Sequence, residues 1–303
     1  MRQGQEKIGR RGNDGPPPEH KSIIISWHGQ EFHDLLRSCD KDETTPYILK
    51  YLPKYGKIVE GGCGLGRYVK YLADLGYDIE GVEYNPETVR AVQRCSPGLP
   101  VIQGNILALP YRDGSISGLI SLGVLEHFRE GMEEPLREIR RVLKPGGILV
   151  ISVPSQNRIR RIKKRFFLVE LNRYLNPLSV ARRSRVIRHL FGRAVLPGGG
   201  SYNRFRRGRY EIYPLFGDFF EYRLKKEEFE EVLRRAGFQI LESVPVGHMD
   251  GVFHEFGTLF VKFHGWEFHP GLAGRLLNRF LARFPFVHNH MHLCVCIRQA
   301  HSV

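Results

Sequence analysis

The sequence predicts an α/β domain built on a mainly parallel sheet, and three observations lead there. Short apolar runs alternate with helix-like segments from about residue 45 to 154. The apolar runs are almost continuous, as strands covered by helices on both faces require. The first of them ends in a glycine-rich turn that opens directly into a helix.

The elements follow in order. "TPYILKYLPK" (45–54) reads as a short helix, and "KIVEGG" (57–62) as the first strand. A helix over 67–75 leads to a second strand, "DIEGVEY" (78–84). Asn85 and Pro86 then supply the cap and first-turn residue of a helix over 86–95. "LPVIQGN" (99–105) and "ISGLISL" (116–122) are the third and fourth strands. "MEEPLREIRRVL" (132–143) is a helix that the Pro-Gly-Gly turn at 145–147 closes, and "ILVISVP" (148–154) is the fifth strand. The pattern breaks over 155–215 and resumes as a helix and strand in "KKEEFEEVLRRAGFQILESVPV" (225–246). A second irregular stretch, about 249–290, precedes the last strand, "HMHLCVCIR" (290–298). The organisation expected is a flexible tail (1–25), N-terminal helices and a ligand-binding core (26–154), a basic insertion (155–215), and the C-terminal part of the same domain with a second insertion (216–303).

Charge is concentrated in one place. Residues 155–210 hold sixteen Arg or Lys and one acidic residue, Glu170, a local charge of +15 in a chain whose total is +14. The remainder is nearly neutral, so the insertion is the feature that speaks to an anionic partner. Five cysteines without a CxxC pair argue for a reducing compartment, and Cys294 and Cys296 are expected to pack on one face of the last strand. No N-terminal apolar segment reads as a signal peptide and no run is long enough to span a bilayer, so the expected location is cytoplasmic, with attachment to the inner membrane face left open.

Gly62, Gly64 and Gly66 alternate between a strand and a helix. Such a turn brings bare backbone against a ligand, at a helix end with free N–H groups. The dinucleotide pattern GxGxxG is not met: counted from Gly62 its last position is Arg67, and counted from Gly64 it is Val69. Glu83 ends the next strand, 17 residues beyond Gly66, where a carboxylate accepts both hydroxyls of a ribose. A ribose site without a pyrophosphate cradle points to a nucleoside, and a charged sulfonium nucleoside fits.

In this light "VEGGCGLG" (59–66), "GVEYN" (81–85), "GNILALPYRDGSISGLISLGVLEHF" (104–128) and "VLKPGGILVISVP" (142–154) together resemble the class I S-adenosylmethionine-dependent methyltransferases, type 11 branch. The resemblance covers most of residues 45–154, with a weaker echo at 223–246. It implies a Rossmann-like seven-stranded sheet carrying a basic insertion after the fifth strand and a second insertion before the last. It also implies S-adenosyl-L-methionine as cofactor. Glu60 would lie near the methionine amino group, and Gly62, Gly64 and Gly66 beneath the cofactor. Glu83 would bind the ribose, Tyr84 would pack on the adenine, Asn105 and Ile106 would flank the adenine, and Leu122 and Gly123 would line the methionine part. Two departures stand out: Asn105 replaces a common aspartate, though its carbonyl still accepts, and "SIS" replaces the usual "SFD" before the fourth strand.

Ligands of an open α/β sheet bind beyond the carboxyl ends of its strands. The insertion after residue 154, the loop "GHMDGVFHEFG" (247–257) and "HNHMH" (288–292) all return to that edge. Methyl transfer needs alignment and, for a hydroxyl acceptor, a base. His248, His254 and Glu255 are the catalytic candidates, with Asp250 as an orienter. Arg158, Arg161, Lys164, His288 and His290 are the substrate-binding candidates. His127 in "LEHF" is a weaker candidate, and no metal is expected, because the histidines lack tight ligand spacing. Ile159, Ile162, Phe166 and Val169 form an apolar stripe on a basic helix, as in helices that lie on anionic surfaces. Methylation of an oxygen on a small-molecule, glycan or lipid-linked acceptor, anionic in character, is therefore the reading. An RNA acceptor, or a noncatalytic membrane or nucleic-acid binding protein on the same fold, is the alternative.

Overall fold

The structure is a computed structural model that describes residues 32–165, 205–207, 210–215, 218–264 and 267–300. The expected tail (1–25), most of the basic insertion, with Phe166, Val169 and Glu170, and the side chain of Lys164 lie outside the described residues.

Seven strands form one sheet in the order β3-β2-β1-β4-β5-β12-β9. These are β1 (Ile58–Gly61), β2 (Ile79–Glu83), β3 (Val101–Gln103), β4 (Ile116–Leu122), β5 (Leu143–Pro154), β9 (Phe238–Val246) and β12 (Met291–Arg298). The first five are parallel, and β12 runs antiparallel to both β5 and β9. Successive residues of each inner strand supply opposite faces, as a pleated strand requires. Val59, Leu119, Leu149, Ile151 and Cys294 pack against α5 (Glu133–Val142) and α7 (Lys226–Arg235) through Leu136, Ile139 and Phe229. Ile58, Ile120, Val150 and Val295 pack on the other side. They meet α2 (Thr45–Tyr51), α3 (Arg67–Asp74) and α4 (Pro86–Cys95) there, with α1 (Phe32–Lys41) completing the layer through Leu35. Cys294 and Cys296 are buried free thiols on one face of β12, as expected, and burial pushes the Cys294 thiol up to about 12.

Local chemistry explains most boundaries. Asn85 caps α4 by accepting from the Glu87 N–H at 2.9 Å, and Pro86 follows in the first turn. The Pro-Gly-Gly segment behaves differently from the expected turn. Strand β5 begins at Leu143, immediately after α5. The segment is then an irregularity inside the strand: Ile116 pairs with Leu143, but Gly118 pairs with Ile148. Gly146, at φ 77°, allows the excursion.

The stretch 249–290, expected to be irregular, is mostly built. It contains α8 (His248–Phe256), the hairpin β10 (Val261–His264) and β11 (Glu267–Pro270), and α9 (Leu272–Leu281). Glycines at both ends of α8, Gly247 (φ 70°) and Gly257 (φ 85°), made this segment read as a loop. Within 205–223, β6 (Phe205–Arg207), β7 (Tyr210–Leu215) and β8 (Asp218–Arg223) form a three-stranded antiparallel sheet, and α6 (Arg158–Arg165) follows β5. Among the described residues, no helix is long and apolar enough to cross a membrane.

Leu119 is fully buried in the centre of the sheet and touches the α5 layer. Leu119→Ala is expected to lower stability by about 2–5 kcal/mol, read as a shifted urea midpoint with an unchanged slope.

Candidate functional site

Three glycines open the cofactor edge. Gly62, Gly64 and Gly66 all have positive φ, at 75°, 56° and 75°. Gly62 has a second reason to lack a side chain: an added Cβ would stand 2.5 Å from Val124 Cγ2, in the loop that follows β4. The turn is fixed from the next strand. Glu83 accepts from the Gly64 N–H at 2.9 Å through one oxygen and from the Asn85 N–H at 2.8 Å through the other. A carboxylate has about four acceptor positions, so two remain for a diol. The Tyr84 ring beside it is 46% exposed, and Ile106 is buried against Gly61.

Glu60 lies at the centre of β1 and is 5% exposed, with Oε2 lacking any hydrogen-bond partner. Burial pushes its carboxyl up to about 8, with Arg67 pulling the other way. An orphaned buried carboxyl beside an open glycine turn is a group that a cationic ligand would complete. Asn105 Oδ1 accepts from the Leu107 N–H at 3.0 Å and so shapes its own turn. Gly123, at φ 69°, follows Leu122, and a Cβ there would approach Glu126 Oε1 at 3.4 Å and Met291 Cε at 3.7 Å. Met291 opens β12, so the start of the last strand adjoins Gly123, where the resemblance expects the methionine part. Together, the ribose acceptor, the orphaned acid and the bare backbone fit S-adenosylmethionine.

The three stretches expected to return to this edge do meet there. The Arg160 side chain on α6 is 7% exposed. It donates to Glu255 Oε1 on α8 at 2.5 Å, to the Ser155 carbonyl at 2.5 Å and to His290 Nδ1 at 3.0 Å. Lys163 adds a bond to Glu255 Oε2 at 3.0 Å and one to its carbonyl. Burial works to raise the Glu255 carboxyl, yet Arg160 and Lys163 hold it below the usual carboxylate range. Glu255 is thus engaged as an anchor through both oxygens, whereas the sequence offered it as a catalytic candidate.

The histidines fall into distinct settings. His248 Nδ1 faces Glu43 Oε2 at 2.6 Å, and its backbone N–H donates to the same carboxylate at 3.1 Å. His288 is buried and meets Asn278 Oδ1 through Nε2 at 2.9 Å. Burial, with His248 adding to it, pushes His288 down to about 4. His290 is held well below its ordinary value by burial, then by Arg160 and His254. His254 is the open one: its side chain is 45% exposed, with Nε2 at 3.1 Å from Asp250 Oδ1 and its ring stacked on His290 at 4.4 Å.

Asp250, His254 and His290 place one ligand atom each within 4.8 Å of the others. The Arg160 bond, however, makes His290 Nδ1 an acceptor, which leaves the ring proton on Nε2, the nitrogen turned toward Asp250. A proton on that nitrogen opposes a cation shared with Asp250 and His254. Arg158 and Arg161 are exposed on α6. Two groups escaped sequence reading. Arg160 was hidden in a run of like cations. Glu126 is 2% exposed with Oε2 unpartnered, and burial raises its carboxyl well above the usual range.

Residues 59–151 match the family described as a methyltransferase domain. Over these residues the chain is similar to type 11 methyltransferase domains. S-adenosylmethionine, the cofactor named for such relatives, fits the site described above. A Mycolicibacterium smegmatis protein described as a "probable S-adenosylmethionine-dependent methyltransferase" is 31% identical over 99 residues, 33% of this chain and 38% of that protein. The present chain thus spans well under half of that relative. YqeM of Bacillus subtilis, named as a candidate methyltransferase, is 26% identical over 229 residues, 72% of this chain and 87% of YqeM. The PH0226 protein of Pyrococcus horikoshii shares the fold, with a TM-score of 0.51 at 16% identity over 90% of this chain and 93% of that one.

Gly62→Ala tests the methyltransferase turn. The positive φ and the contact with Val124 are expected to cost about 1–3 kcal/mol in urea unfolding and to weaken cofactor binding. Adding Val124→Ala should restore the steric part and leave the backbone part.

Proposed function

We propose that this chain transfers a methyl group from S-adenosylmethionine to an oxygen of an anionic small-molecule, glycan or lipid-linked acceptor, with His254 as the base. The observation that supports the base assignment is the half-exposed His254, 3.1 Å from Asp250 and stacked on His290 where the chain enters β12. The bound cofactor supplies an electrophilic methyl group on a sulfonium. Asp250 Oδ1 stands 3.1 Å from His254 Nε2, which favours a proton on that nitrogen and leaves Nδ1 to take the hydroxyl proton. His290, kept neutral, stacks on the ring and fixes its orientation without competing for charge. His248 is committed to Glu43 and serves to place the start of α8. Arg158 and Arg161, exposed on α6, with Lys164 on the same helix, supply the anion affinity for the acceptor.

The reading is tested by transfer of a labelled methyl group to hydroxyl acceptors that bear a phosphate or carboxylate. His254→Ala should lose at least about a hundredfold in kcat/KM with such acceptors, whereas His248→Ala should keep most of it. Wild-type activity in His254→Ala would reject His254 as the base.

Glu60 gives a test that needs no acceptor. With its carboxyl near 8 in the free protein, Glu60 is mostly protonated at about pH 7. An ammonium brought beside it favours the ionised form. Binding of S-adenosylmethionine should then release up to about one proton at about pH 7, seen as a calorimetric enthalpy that varies with buffer ionisation heat. The release should fade above pH 8, where the group is already ionised, and vanish in Glu60→Gln. Buffer-independent enthalpy would remove Glu60 from the ammonium site.

A further inference from the structure

Helix α9 turns its well-packed side inward. Gly274 is buried, and a Cβ there would sit 2.2 Å from the Phe260 carbonyl oxygen. Asn278, one turn on, bonds His288 at 2.9 Å. With that face fixed against the fold, Leu272, Leu276, Phe280 and Phe284 are left outward at 69%, 59%, 54% and 49% exposure. Leu272, Leu276 and Phe280 are four apart on the helix, and Phe284, just beyond its end, packs on Phe280 at 5.8 Å and continues the stripe. Leu259, 87% exposed, stands next to Phe260 and so extends the apolar surface at the helix start.

Beside this stripe runs a second one. Arg275, Arg279 and Arg283 are exposed, also four apart, and among the described residues none of them is ion-paired. The segment 271–284 contains no acidic residue. The start of α6 is joined to the same region, because the N–H groups of Arg158 and Ile159 donate to the Phe286 and Val287 carbonyls at 3.1 Å. Arg158, Arg161 and the 53% exposed Ile162 repeat the mixture there.

Exposed leucine and phenylalanine rimmed by unpaired arginine marks a binding surface rather than ordinary exterior. The charge decides the occupant. Residues 166–204 carry seven arginines and one glutamate, so they repel the arginine row, as would the same face of a second copy. An anionic partner with an apolar layer beneath its charge satisfies both rows at once, and a bilayer of acidic lipid has that structure. Nucleic acid would satisfy the arginines and leave the aliphatic row in water. The geometry points to α9 as a peripheral membrane-binding helix, lying in the headgroup region with Leu272, Leu276, Phe280 and Phe284 turned into the acyl boundary. This holds whatever the methyl acceptor is.

The test uses the full chain and vesicles of phosphatidylcholine with about 30% phosphatidylglycerol, against phosphatidylcholine alone. Wild type should sediment with the anionic vesicles and release with salt. Arg275→Gln with Arg279→Gln should lower the partition coefficient about thirtyfold. Leu276→Ser with Phe280→Ser should lower it by at least about tenfold. Phe280→Trp should show a blue-shifted emission on vesicle addition, which direct insertion alone explains. S-adenosylmethionine binding, unchanged in all variants, confirms the fold and separates this outcome from any failure of the methyl-transfer reading. Unaltered vesicle binding in both double variants overturns the inference. So does an α9-dependent dimer, or binding to a stem-loop RNA that only the arginine pair affects, with no vesicle binding.

Discussion

The Arg160 guanidinium is the interaction on which the acceptor side of this molecule depends. It joins the chain after β5, the helix after β9 and the start of β12, three stretches separated by up to 130 positions, through Ser155, Glu255 and His290. Ser155 and His290 directly flank the core strands β5 and β12, and Glu255 brings α8 to them. A buried charge is costly unless it is paired and fully bonded, so the cation survives there because all three bonds form together. The same bonds set the proton position on His290 and thereby the neutral ring on which His254 stacks. Organisation of the acceptor edge and its acid–base state thus share one cause.

Three buried carboxylic acids show how environment divides like groups. Glu255, between Arg160 and Lys163, stays ionised. Glu60 and Glu126, without enough positive charge nearby, are pushed toward the neutral form by burial. The charged acid anchors the fold, whereas each of the other two keeps one buried oxygen without a hydrogen-bond partner.

Much of the core was legible before any coordinates. The strands from "KIVEGG" to "ILVISVP", the capping of α4 and the shared face of Cys294 and Cys296 follow from local pattern, because buried parallel strands and helix caps leave local signatures. The clamp of Glu83 on Gly64 and Asn85 adds bonds that the ribose assignment did not foresee. The acceptor edge was less legible. The bounding glycines of α8 masked a helix of nine residues. Arg160 could not be told from Arg158 and Arg161, since only tertiary packing decides which cation of a run turns inward. The surface of α9 lay in a stretch read as irregular, although its Leu-Phe and Arg rows recur every four residues.

The place of β12 has a consequence for how the chain acquires its shape. It is the last of the described strands in sequence, yet it lies between β5 and β9 and bonds to both. Until residues 291–298 have emerged from the ribosome, β9 has no neighbour and β5 presents an open, apolar edge. Synthesis therefore passes through a stage in which β1 to β5 are present and the sheet is unsealed. In that interval, edge-to-edge pairing between nascent chains competes with closure, and the arrival of β12 determines which prevails.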